Sequence, residues 1–169
     1  VVKLRKCPCP AIAYICAMRI PPFLQPGDRI GLLSTARKIR PTELREALHA
    51  IEKDWGFEAI LADDLYAVQH QFAGSDEQRR NTLQSMLDDP SLKAILCARG
   101  GYGTQRIVDQ IDFSGLQQHP KWLIGFSDIT TLLTAINQAG VAAIHGPMGL
   151  SWNGKTANLA SRNRLRDLL

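Results

Sequence analysis

Apolar residues along this chain come in short unbroken runs separated by stretches with helical spacing. The first run, "RIGLLS" from Arg29 to Ser34, predicts a strand. Pro41 then opens a helix where its missing N–H does no harm, and Leu44, Ala47, Leu48, Ile51 and Trp55 recur at helical intervals up to Gly56. "FEAILADDL" predicts a second strand, and Ser75-Asp76-Glu77-Gln78 is a capping-box start for a helix with Leu83, Met86 and Leu87 facing inward, ended by "DDP". A third strand, Ala94 to Ala98, leads into the glycine-rich turn Arg99-Gly100-Gly101-Tyr102-Gly103, and a short helix is expected from Thr104 to Asp109. "KWLIGF" predicts a fourth strand, Ile129, Leu132, Leu133 and Ile136 a helical stripe closed by Gly140, "VAAIHGPM" a fifth strand, and "NLASRNRLRDLL" a final helix.

Strands that lack polar alternation, separated by amphipathic helices, mean a mostly parallel sheet covered on both faces. The expected fold is therefore a three-layer α/β/α domain of Rossmann-like or flavodoxin-like architecture. Ligands of such sheets sit beyond the carboxyl ends of the strands. Arg99 to Gly103, Ser127 and His145 all fall at such ends.

Charge narrows the function classes. The formal net charge is +4, but Lys3, Arg5 and Lys6 lie in a head with no acid, and without residues 1–17 the chain carries 17 basic against 16 acidic residues. The body thus offers no clustered basic face for nucleic acid. No apolar run reaches the length of a membrane span. The head, "VVKLRKCPCPAIAYICA", fits a signal peptide poorly, with two prolines before a short apolar part, so residues 1–17 read as an upstream extension ahead of Met18. Cys7, Cys9 and Cys16 lack metal-ligand spacing, and Cys97 sits inside an apolar run, as a small buried side chain does. His49, His70 and His119 are scattered, so no metal site is expected.

Three groups remain that could do chemistry. Ser127, in "IGFSDI", stands at a strand-to-helix turn, where a hydroxyl can be lifted clear of the sheet beside free backbone N–H groups. The N–H of Asp128 would be one oxyanion donor. The match to the elbow G-x-S-x-G is partial, because Ile129 takes the second glycine position. Serine is also a favoured N-cap, and spacing alone favours the cap. The Arg99–Gly103 loop could cradle an anion or supply a second oxyanion donor, but it completes neither phosphate-loop pattern, and a structural turn is an equal alternative. His145 lies at a strand end, which does not by itself put it within hydrogen-bond reach of Ser127.

Taken in order, "PPFLQPGDRIGLLS", "FAGSDEQR", "DPSLKAILCARGGYG", "WLIGFSDITTLL" and "HGPM" resemble the N-terminal part of the serine LD-carboxypeptidase family, muramoyl-tetrapeptide carboxypeptidases and microcin C resistance proteins together, over about residues 20 to 150. The resemblance implies Ser127 as nucleophile, with an oxyanion hole from the Asp128 N–H and that of Gly100 or Gly101. It implies a triad Glu and His from a second, C-terminal domain, which leaves His145 at most a lining residue of the cleft beside Arg99 and Tyr102. Arg99 could meet an acidic group of the substrate or form a structural salt bridge. "LLSTAR" stands where relatives commonly carry a proline-containing turn, so the pocket floor is expected to differ. The division expected is 1–17 an extension or a weak targeting segment, 18–150 the nucleophile domain, and 151–169 the start of a connection to the second domain. The implied function is removal of the C-terminal D-alanine from muropeptide tetrapeptides in peptidoglycan recycling, by a cytoplasmic homodimer without cofactor, and residues 1–169 alone are expected to be inactive. The alternatives are a microcin C-type hydrolase of peptidyl- or aminoacyl-nucleotides, and a non-catalytic α/β module whose glycine loop grips a phosphate or cofactor.

Overall fold

The computed structural model describes residues 18–153 and 159–169. The expected extension at 1–17, with Cys7, Cys9 and Cys16, lies outside the described residues. The strands are β1 Arg29–Leu33, β2 Glu58–Leu61, β3 Leu92–Cys97, β4 Trp122–Gly125 and β5 Ile144–His145. The helices are α1 Arg45–His49, α2 Asp76–Asp88, α3 Ser114–Gln118, α4 Thr130–Gln138 and α5 Leu159–Leu168. All strand pairs are parallel and the order is β2-β1-β3-β4-β5. The chain steps outward from β1 to β2, then reverses to β3 on the other side of β1. That reversal opens a crevice at the carboxyl ends of β1 and β3, where sheets of this kind receive ligands.

The unbroken apolar runs follow from burial on both faces. Ile30, Leu32, Ala94, Leu96, Trp122 and Ile124 face one layer and pack with Leu44, Ala47, Ile51, Trp152 and Leu165. Leu33, Ile95, Cys97 and Leu123 face the other, against Leu83 and Leu87 of α2 and Leu132 and Ile136 of α4. Each fully buried aliphatic side chain contributes roughly 1.5–3 kcal/mol. The capping box forms as expected: the Ser75 hydroxyl accepts from the Gln78 N–H at 3.1 Å, and the Gln78 side chain accepts from the Ser75 N–H at 2.9 Å.

Three expected elements differ, and one helix was not expected. The helix from Pro41 is broken into a 3₁₀ turn at Pro41–Glu43, α1, and wider π turns over Ala50–Asp54, in which Trp55 packs on Trp152 with centroids 4.9 Å apart. The helix expected at Thr104–Asp109 is two 3₁₀ turns, Thr104–Arg106 and Val108–Gln110. It follows Gly103, at φ +141°, and contains the adjacent β-branched Ile107 and Val108, a poor setting for an α-helix. The fifth strand shrinks to Ile144–His145, because Val141 bridges to Arg19 instead and Gly146-Pro147 cuts the ladder. Helix α3 carries no periodic stripe long enough to be read.

Lys121 is fully buried at the foot of β4. Its ammonium donates to the carbonyls of Met86, at 3.1 Å, and Asp89, tying β4 to the end of α2. Burial pushes its pKa down to about 8, with Asp89 and Asp88 opposing that shift only in part. The unfolded chain therefore holds the proton more tightly, and between pH 8 and the ordinary value of 10.5 it binds more protons than the folded chain. Stability owed to this group rises with pH across that window. Urea midpoints should show the wild type gaining on Lys121→Met as pH rises through it; a constant difference would mean Lys121 stays fully charged in the fold.

Candidate active site

Strand β4 ends in Gly125, and the next residues reverse direction sharply. Phe126 is extended, at φ −153° and ψ −175°, and Ser127 takes φ +60°. A left-handed serine is strained by roughly 1–2 kcal/mol. The short turn Ser127–Ile129 then leads into α4. The cap position of this turn is occupied by Phe126, without a side-chain cap hydrogen bond, so Ser127 is not the N-cap that its type and spacing favour. The serine is exposed. Ile129 at the second glycine position is accommodated by Gly125: a Cβ there would lie 2.5 Å from Ile129 Cγ2. The bend keeps one obligatory glycine and fills the other place with a buried isoleucine.

The glycine loop stands directly against this bend. A Cβ built on Gly100 would lie 3.4 Å from the Phe126 carbonyl oxygen and 3.6 Å from the Asp128 nitrogen. Gly101 and Gly103 adopt φ +121° and +141°. The two loops are tied together, since the Asp128 carboxylate accepts from the Thr104 N–H at 3.0 Å. Thr104 in turn shares a buried hydroxyl contact of 2.8 Å with Thr35, just past β1. The Phe126 carbonyl already receives the Ile129 N–H at 3.2 Å. N–H groups at the start of a helical turn have no partner within it, and Asp128 stands in the first turn after the bend. Of the two glycines expected to supply a second donor, Gly100 has the Asp128 nitrogen among the nearest neighbours of its Cβ position, and Gly101 has the Arg37 side chain.

Not every candidate gathers there. His145 is exposed at the end of β5, its ring centroid 6.3 Å from that of Phe126, and no hydrogen bond joins it to Ser127 among the described residues. Tyr102 turns toward Phe72, with centroids 6.1 Å apart. Arg99 forms no salt bridge among the described residues; its guanidinium donates to the Lys38 carbonyl at 3.4 Å. It lines an open cavity of about 400 Å³ together with Arg37, Lys38, His70 and Gln71. That grouping was invisible in the sequence, because its members come from three separate segments. Cys97 lies beneath the site, fully buried, its thiol pushed up to about 12 by burial and by the Asp128 charge, so it is no rival nucleophile. Among the described residues no group of His, Cys, Asp and Glu is placed to hold a metal.

Comparison with known proteins places this geometry in a family. The LD-carboxypeptidase N-terminal domain matches residues 30–146, and the chain belongs to that family. A "Probable murein peptide carboxypeptidase" of Bacillus subtilis is 42% identical over 129 residues, covering 76% of this chain and 40% of the relative. The "Murein tetrapeptide carboxypeptidase" of Pseudomonas aeruginosa is 36% identical over 148 residues, covering 85% and 48%. A crystal structure of an MccF-like protein from Bacillus anthracis superposes with a TM-score of 0.80 at 24% identity, over 89% of this chain and 47% of that one, which shows the shared fold. The chain spans less than half the length of each of these proteins.

The left-handed bend has a direct stability signature. Ser127→Gly should exceed Ser127→Ala in stability by about 1 kcal/mol, since both lose the hydroxyl and only glycine relieves the strain. Thermal or urea denaturation showing alanine the more stable would contradict a positive φ at this position.

Proposed function

We propose that Ser127 is the nucleophile of a serine carboxypeptidase that removes the C-terminal D-alanine from a murein-derived tetrapeptide. The observation that carries the reading is the exposed serine at φ +60° with Gly100 packed beside the Asp128 nitrogen. A strained residue on an otherwise regular strand-to-helix connection points to function. The names of the B. subtilis and P. aeruginosa relatives support the substrate class.

In this mechanism the Ser127 hydroxyl attacks the carbonyl carbon of the last peptide bond while a general base takes its proton. The carbonyl electrons move onto oxygen, and the Asp128 N–H and the N–H of Gly100 or Gly101 receive the oxyanion. Collapse of this intermediate breaks the C–N bond; D-alanine leaves with the proton returned to its amine, and an acyl-serine remains. Water, deprotonated by the same base, releases the shortened peptide. A lone serine is a weak nucleophile, so the base is essential. We assign it, with its orienting carboxylate, to a further domain of the full-length protein, in keeping with the greater length of the relatives. On this reading residues 1–169 alone do not turn over substrate. The setting that fits a recycled wall peptide is the cytoplasm, and the family resemblance points to a homodimer.

With full-length protein, release of D-alanine from a murein tetrapeptide should be measurable, and Ser127→Ala should lower kcat by at least about 10³-fold. Undiminished release by a correctly folded Ser127→Ala protein would overturn the assignment.

A further inference from the structure

The cavity beside the glycine loop has a composition that the nucleophile and oxyanion donors do not account for. Its walls are Arg37, Lys38, His70, Gln71 and Arg99, with three fixed cations and no carboxylate among them. None of the three cations is in an ion pair among the described residues. Arg37 donates to the neutral Gln71 side chain at 3.2 Å, and Arg99 to a backbone carbonyl. The acid in electrostatic reach of Arg99 is Glu43, which is already committed elsewhere. It accepts from the Arg40 N–H at 2.8 Å and lies 3.4 Å from the Arg40 guanidinium. Burial alone would raise the Glu43 pKa, but the Arg40 contacts and the charges of Arg40 and Arg99 outweigh it and hold the carboxyl below its ordinary value. Positive charges gathered around a concavity without counter-charge repel one another, and an anionic ligand relieves that repulsion.

The rim is built rather than frayed. The segment after β1 pairs with the 69–73 turn: Lys38 N–H donates to the Gln71 carbonyl at 3.1 Å, and Ala73 N–H to the Ala36 carbonyl at 3.1 Å. That turn is itself closed by reciprocal bonds between Gln69 and Phe72, at 3.0 and 2.9 Å, and carries His70 at φ +55°. Position matters as much as charge. Arg37 follows β1 and Arg99 follows β3, so the cavity opens at the point where the strand order reverses. It also adjoins the proposed oxyanion site, because a Cβ on Gly101 would lie 2.6 Å from Arg37 Cδ, and Gly100 is the residue packed beside the Asp128 nitrogen.

Resting on the carboxypeptidase reading of Ser127, we infer that Arg37, Lys38 and Arg99 form a cationic subsite that holds a carboxylate of the peptide substrate and so sets where the peptide is cut. A murein-type peptide offers two sources of that group, the terminal carboxylate of the departing residue and a carboxylate on the retained side. A guanidinium pairs with either in the same forked geometry. Arg37 and Arg99 are specificity residues in this account, acting on substrate binding and leaving the bond-breaking groups untouched.

The test uses full-length protein and four inhibitors in two pairs: N-acetyl-D-alanine and its neutral amide, and a shortened product peptide with its side-chain carboxylate free or amidated. The terminal-carboxylate form of the inference expects N-acetyl-D-alanine to inhibit and its amide to fail. The retained-side form expects the product peptide to inhibit and its amidated version to fail. In either case Arg37→Gln with Arg99→Gln should raise the affected inhibition constant and the substrate KM by about 10- to 100-fold with kcat changed far less. The single variant Arg99→Gln, with a smaller effect of the same pattern, keeps the test readable if the double variant folds poorly. Inhibition indifferent to amidation on both sides, or a fall in kcat with KM unchanged, would overturn the subsite. Failure of the carboxypeptidase reading is seen separately, as activity surviving Ser127→Ala.

Discussion

The hydrogen bond from the Thr104 N–H to the Asp128 carboxylate is the constraint on which the site depends. It joins the loop after β3 to the bend after β4, and the paired hydroxyls of Thr35 and Thr104 extend the link to the end of β1. Three adjacent strand ends are thus clamped at one point. A hydrogen bond to an ionised acceptor contributes roughly 1.5–3 kcal/mol, comparable to the strain of a left-handed serine. In the proposed mechanism this clamp helps keep Gly100 beside the Asp128 nitrogen, where the two oxyanion donors would converge.

A second network supports the far side of the glycine loop. Asp76, in the first turn of α2, pairs with both Arg79 and Arg106. Its carboxyl is held below its ordinary value chiefly by the Arg106 hydrogen bonds, with Arg79 adding to the effect and burial opposing it. Arg79 is buried and lies over the Phe72 ring at 4.8 Å, and its Nη1 would be 3.1 Å from a Cβ on Gly103. Loss of Asp76 would leave the buried Arg79 charge without its carboxylate partner. The start of α2 therefore bears directly on the glycine loop. Asp76 holds Arg79 close beside Gly103, whose φ of +141° already favours glycine.

The sheet was legible because both of its faces are buried, so that β1, β3 and β4 appear as uninterrupted apolar runs. The capping box at Ser75 and the glycines at 56 and 140, both at positive φ, were legible for local reasons. What the sequence could not show were features decided by distant contacts. Ser127 has the side chain of a cap, and only the folded backbone, with Phe126 at the cap position and Ser127 at φ +60°, shows that it turns left-handed there instead. Val141 reads as strand but pairs with Arg19. Arg37, Lys38, His70 and Arg99 carry no shared spacing, and nothing short of the β1 to β3 reversal brings them around one cavity.

The central claim is that the Ser127 hydroxyl is a reactive nucleophile, and covalent labelling tests it most directly. Full-length protein treated with a fluorophosphonate and digested for mass spectrometry should carry the adduct on Ser127, at near one equivalent and on no other serine. Protein that hydrolyses its peptide while Ser127 stays unmodified, or that takes the label at a different serine, would contradict the account.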